Sequence, residues 1–235
     1  MTRIKKYQSN HLHHANNRVA FTMLELVFVI VVLGILASLA MPRMDRDLKQ
    51  EAVDNIISDI RYTQHLALRD HKQEFDNAQW QRSFWRIGFE NCANASGLYE
   101  YIGTDMNFGG GIDDDEAALD PTNGKKMIWS GADCSDGGDS NTSDRLFISH
   151  KYGITGVAFT GTGTNSCANA QYIGFDRLGR PHQGFAGNNG SDEPDYASYL
   201  DGNCTITFTM SDGDTFGITV QAETGHVFIV GNEDS

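Results

Sequence analysis

The chain has 235 residues, 40% of them hydrophobic, and a formal charge of −13. That length allows one domain with its own core, while the acidity disfavours nonspecific nucleic-acid binding, which runs on Lys and Arg against phosphate. No Gly-x-Ser-x-Gly, His-Glu-x-x-His or Walker loop occurs; His11, His13 and His14 lie together near the start and the other five histidines are scattered, so the sequence argues for no enzyme.

Residues 1–20 carry Arg3, Lys5, Lys6 and Arg18 and no acid. The next 21 residues, Phe21 to Met41, are apolar apart from one charge, Glu25. As a helix the run is about 31 Å long, enough for a hydrocarbon core of about 30 Å. An unpaired carboxylate at bilayer depth costs about 2.5–3.5 kcal/mol. Ser38-Leu39-Ala40 looks like a signal-peptidase site, but a secretory signal has a shorter apolar region without an acid. A plain membrane anchor leaves Glu25 unexplained. Four basic residues precede the run, and Arg43, Arg46, Lys49 and Arg61 follow it, so charge alone does not orient it.

The basic leader followed by Ala20-Phe21-Thr22-Met23-Leu24-Glu25 resembles the class III signal of type IV pilins and type II secretion pseudopilins. The resemblance implies cleavage between Ala20 and Phe21, N-methylation of Phe21, and a helix-kinking proline at Pro42. The family prefers Gly where this chain has Ala20. Cleavage would create a cationic amine on Phe21, and Glu25 of one subunit could meet the amine of its neighbour. That pairing removes an isolated buried charge and fixes axial register.

From Arg43 to Lys72 apolar residues recur at helical spacing. Val53, Ile56, Ile57, Ile60 and Ala67 share a stripe, flanked by Asp54, Asp59, Arg61 and Arg69. Strands are expected at Phe84–Phe89, Leu98–Ile102, Leu146–Ser149, Gly156–Phe159, Tyr172–Phe175, Thr205–Met210, Phe216–Gln221 and His226–Val230. Turns fall at Ser211–Asp214 and Glu223–Gly225.

Cys92, Cys134, Cys167 and Cys204 form no C-x-x-C, and an even number in an exported chain suggests disulfides. Of three connectivities, the sequential one is expected, Cys92–Cys134 and Cys167–Cys204. Each would close a loop of about 40 residues and contribute about 4 kcal/mol.

The segment from Tyr172 through Asp176-Arg177-Leu178-Gly179-Arg180-Pro181, with the Cys204 strand and its hairpins, resembles the H-type, FimT-like minor pseudopilins. The implied fold is α+β and pilin-like: a long N-terminal helix, membrane-embedded over its first half, packed on a C-terminal antiparallel β-rich head. The expected division is a leader at 1–20, a transmembrane half at 21–41, its amphipathic continuation at 42–75, and a β-rich periplasmic head at 80–235.

The head carries an acidic insertion at 103–145. Residues 105–116 match the spacing of an EF-hand-type calcium loop, with Asp105, Asn107, Gly111, Asp113 and Glu116 as ligands and Gly110 at the sharp turn. Gly109 stands where an oxygen-bearing side chain is usual, so weak affinity is expected, about 10⁻⁴–10⁻³ M. Ala117-Ala118-Leu119 is expected to open a short helix ended by Asp120-Pro121.

The resemblance implies a non-enzymatic minor pseudopilin of a type II secretion pseudopilus. Its partners would be other pilins or pseudopilins, the prepilin peptidase and methyltransferase, and the inner-membrane assembly platform. It would sit in the bacterial inner membrane with a periplasmic head, and in a filament after assembly. The alternative is a type IV minor pilin for pilus initiation, adhesion or DNA uptake.

Overall fold

The computed structural model describes residues 22–71, 78–94, 97–134, 137–185 and 198–231, with side chains for all but 39–47 and 78. The chain divides into two units, Met1–Asp45 and Arg46–Ser235. Helix α1, Met23–Arg69, begins in the first and ends in the second. Pro42 falls inside α1 rather than at its end.

In the first unit the described side chains of α1 lie in the open. Met23 is 89% exposed, Leu24 81% and Phe28 69%, and the aliphatic residues from Leu26 to Leu36 are exposed too, apart from the half-buried Val32. Among the described residues no helix is long and apolar enough to cross a membrane. The side chains of the expected span 21–41 are described only over 22–38.

In the second unit α1 is amphipathic. Ala52, Val53, Ile56, Ile57, Ile60 and Ala67 are buried along one stripe. Each buried isoleucine is worth about 1.5–3 kcal/mol over an exposed one. Arg61 donates to the Val227 carbonyl, Tyr62 to that of Leu119, and Gln64 to those of Gly179 and Thr224. The polar rim thus ties α1 to several loops of the head. Asp59, expected on the solvated flank, is instead 1% exposed.

The head is α+β with two antiparallel sheets. One runs β2-β1-β4-β5, from β1 (Trp85–Asn91), β2 (Leu98–Gly103), β4 (Tyr172–Phe175) and β5 (Pro181–His182). The other runs β3-β6-β7-β8, from β3 (Ile154–Gly161), β6 (Cys204–Met210), β7 (Thr215–Val220) and β8 (Val227–Ile229). Alternation in β6 puts Cys204, Ile206, Phe208 and Met210 inward. Phe89 meets Phe208 at 5.2 Å and Phe159 at 6.1 Å, so aromatic rings join the two sheets.

Two local expectations fail. Leu146–Ser149 is not a strand: a 3₁₀ turn at Asp144–Leu146 leads into helix α2, Ile148–Tyr152. Leu146, Phe147 and Ile148 are all fully buried, so no alternation marks a strand, and a short apolar run fits a helix equally well. Gly153, at φ 72°, closes α2 in the left-handed conformation that glycine adopts without strain. The second failure is the helix at Ala117–Leu119. Ala117 instead bridges Gly103 and Leu119 bridges Lys126, so the segment adds extended backbone beside β2. β5 was not anticipated; with two residues and a proline it carries no strand signal.

Cys92 is bonded to Cys134 and Cys167 to Cys204, the sequential pairing. The first bond ties the end of β1 to the insertion, and the second ties the β3–β4 connection to β6.

Candidate functional site

Helix α1 opens with a capping box. The Thr22 amide and hydroxyl both donate to Glu25 Oε2, at 2.9 and 3.0 Å, and the Glu25 amide donates back to the Thr22 hydroxyl at 3.3 Å. Glu25 therefore has an intrachain role that the Thr-x-x-Glu spacing could have revealed. Among the described residues only Oε2 is engaged, which leaves Oε1 open to a second donor. Ala20 and Phe21 lie outside the described residues.

Beneath the head, α1 meets a buried charged cluster. Arg145 pairs with Asp59 through Nη2 and with Asp120 through Nη1, the latter at 3.4 Å. Asp59, Glu100 and Asp120 are each 1% exposed. Burial opposes the charge of Asp120, but the hydroxyls of Ser143 and Thr122, the Thr122 amide and the Arg145 charge together hold its carboxyl below the usual range. Glu100 has only the Arg145 charge in its favour. Burial, then the Asp59 charge, push its carboxyl well above the usual range. Burial raises the Asp59 carboxyl too, against the pull of Glu100 and Arg145. Asp59 Oδ2 and Glu100 Oε2 are both buried without a hydrogen-bond partner. The cluster joins α1 (Asp59), β2 (Glu100), the insertion (Asp120) and the turn before α2 (Arg145).

The 105–116 loop closes on its own carboxylates. Asp105 accepts from the amides of Gly109 and Gly110 at 2.9 and 2.7 Å. Glu116 Oε1 accepts from Met106 and Asn107, and Oε2 from Asp113. Asn107 donates to Asp113 Oδ2 at 2.8 Å, and Gly111 is exposed. The five expected ligands are thus gathered in one loop, with the two buried carboxylates gripping its backbone. Among the described residues no group of three or more His, Cys, Asp or Glu side chains is arranged to hold a metal ion.

The Asp-Arg-Leu-Gly-Arg-Pro segment makes the β4–β5 turn. Asp176 accepts from the Leu178 and Arg180 amides, both at 2.9 Å, and from Arg180 Nε at 2.7 Å. His182 Nε2 lies 3.4 Å from Asp176 Oδ2, and its Nδ1 lies 2.9 Å from the Ser198 hydroxyl. Burial alone would raise the Asp176 carboxyl, but His182, Arg180 and the two amides hold it at about 2. Asp, His and Ser in line are the residue types of a nucleophile relay. Here all three are buried, and Gln183 N donates to the Ser198 carbonyl, so the line works as a brace for the hairpin.

No protein-family model matches the chain, and neither a curated protein nor a solved structure is significantly similar to it.

Proposed function

We propose that this chain is a non-enzymatic filament subunit of the pilin-like class, a minor pseudopilin of a type II secretion pseudopilus. The observation that carries the reading is the first part of α1. Apart from Val32, the apolar side chains from Met23 to Leu36 are exposed, and the only charge among them is Glu25. Monomeric soluble proteins rarely leave so large an apolar surface uncovered. Lipid covers it before assembly, and neighbouring helices cover it afterwards. Glu25 Oε2 is taken by Thr22, and Oε1 receives the processed amine of a neighbouring Phe21.

The mechanism is mechanical. The subunit waits in the inner membrane with its head in the periplasm, is processed after Ala20, and is drawn into the filament by helix packing. Force on the helix reaches the head through the buried stripe at Ala52–Ala67 and the Asp59–Arg145 pair. Disulfides and an acidic, hydrated head suit an extracytoplasmic site.

Co-expression of the full chain with a prepilin peptidase tests this. The expected product begins at methylated Phe21 by mass spectrometry, and Glu25→Ala leaves it processed but poorly incorporated into filaments. A chain cut after Ala40, or an uncut chain with normal secretion and piliation in a deletion strain, would overturn the reading. Loss of piliation with secretion intact in that strain would move the subunit to a type IV pilus.

A further inference from the structure

A cleft of about 360 Å³ opens in the head between the outer side of β1 and the insertion. Its walls include four aromatic rings, Tyr99, Tyr101, Trp129 and Tyr172, together with Arg86 and Glu90. The filament reading does not use it, and the 105–116 loop contributes Gly110, Gly111 and Ile112 to its wall.

Arg86 is the anomaly. It is 2% exposed; Nη2 donates to the Gly110 carbonyl at 2.9 Å, and the Tyr101 hydroxyl lies beside the guanidinium. Nε and Nη1 are buried without an acceptor. Gly110 lines the cleft, and so does Tyr172, whose ring centre lies 5.3 Å from the guanidinium carbon. The guanidinium is therefore held at the cleft wall by two cleft residues. A buried cation with unfilled donors is costly, and native proteins rarely leave one without a reason. Trp129 Nε1 is a second donor buried without an acceptor.

Ser130 and Gln171 also line the cleft, but the other charged group there, Glu90, has the opposite character to Arg86. Glu90 Oε2 accepts from the Tyr99 hydroxyl at 2.8 Å, and Glu90 is exposed at the rim. A bound molecule must therefore bring an anion for Arg86, hydroxyl donors for Glu90, and a flat body for the aromatic walls. A hydrophobic carboxylate lacks the hydroxyls, and a neutral sugar lacks the charge. We propose that this cleft binds an acidic saccharide unit of the hexuronate type, with its carboxylate on Arg86, a hydroxyl on Glu90 and its ring against the tyrosines and Trp129. The chain's net negative charge opposes any anion at long range, so the affinity for a single unit is weak, with Kd on the order of 1 mM. This inference is independent of the filament reading.

The test uses the full chain in detergent, with tryptophan fluorescence and calorimetry as readouts. Glucuronate is the probe; glucose and benzoate are the controls. Saturable glucuronate binding is expected, at least tenfold tighter than either control. Arg86→Gln should reduce the affinity at least tenfold. Glu90→Ala should reduce it severalfold, with at most a small drop in melting temperature from the lost Tyr99 hydrogen bond. Benzoate binding as tight as glucuronate would overturn the saccharide, and glucose binding as tight would overturn the carboxylate. No saturation by about 50 mM glucuronate, or equal affinity in Glu90→Ala and wild type, would overturn the site itself.

Discussion

The Glu100 carboxyl on β2 and the Asp59 carboxyl on α1 are both buried in the interior, and the charge of Asp59 opposes ionisation of Glu100. Burial, then Asp59, raise the folded pKa of Glu100 above its ordinary value of 4.5. The stability this acid contributes is therefore complete below that value and fades as pH rises through the folded pKa. Glu100→Gln keeps a donor toward Asp59 and cannot ionise. Melting curves from pH 5 to 9 should fall toward alkaline pH in wild type and fall less in the variant. Parallel curves would mean that Glu100 does not set this pH dependence.

Arg145 is the counter-charge for two buried carboxylates, Asp59 and Asp120. Removing one partner of a buried pair typically costs about 3–5 kcal/mol. Arg145→Ala should lose that much in urea unfolding of the full chain in detergent. Adding Asp59→Asn to it should restore part of the loss.

Asp176 shows the opposite linkage. Its folded pKa of about 2 lies below the ordinary 3.8, so its stabilisation is present above 3.8 and disappears as pH falls toward 2. Asp176→Asn should lose on the order of 1–2 kcal/mol at pH 7 and little at pH 2. Equal losses at both pH values would mean that hydrogen-bond geometry, not charge, is what matters at this turn.

In the 105–116 loop, Asp105→Ala frees two amides and should cost about 2 kcal/mol, because hydrogen bonds to charged groups are worth about 1.5–3 kcal/mol. Both Asp105 oxygens and Glu116 Oε2 accept one amide each. Calcium held there with the expected Kd near 1 mM would add about 1 kcal/mol at about 5 mM, or about 2–4 °C in Tm. An unchanged Tm, or a rise that survives Glu116→Gln, would remove calcium from this loop.

Gly88 on β1 faces Tyr101 on β2, and a Cβ at Gly88 would lie 2.3 Å from the tyrosine ring. The missing side chain lets that ring lie across β1 and wall the cleft. Gly88→Ala should cost about 1–3 kcal/mol by overpacking. It should also weaken glucuronate binding, because the displaced ring moves. A fully stable variant with unchanged binding would mean that the ring has room elsewhere.

The elements legible in sequence are those whose periodicity is local. The Val53–Ile60 stripe repeats at three and four residues, and Thr205–Met210 alternates, so each announces its own geometry. Leu146–Ile148 is apolar at every position and announces nothing beyond burial. The charged cluster was illegible for a different reason. Asp59 sits beside the apolar stripe and looks like a solvated flank, and its partners lie 41 and 86 residues away at Glu100 and Arg145. The same holds for the cleft, which Arg86 and Trp129 both line only because the insertion folds back against the sheet.

The two disulfides also limit how far the head can be stretched. They enclose 42 and 37 residues of sequence, one loop anchored in each sheet. At about 3.5 Å of contour per extended residue, that is on the order of 27 nm of chain that pulling cannot release. A subunit hauled by one end through a crowded envelope would yield a short tether rather than a long one. Reduction, and not force alone, would be required to unspool it.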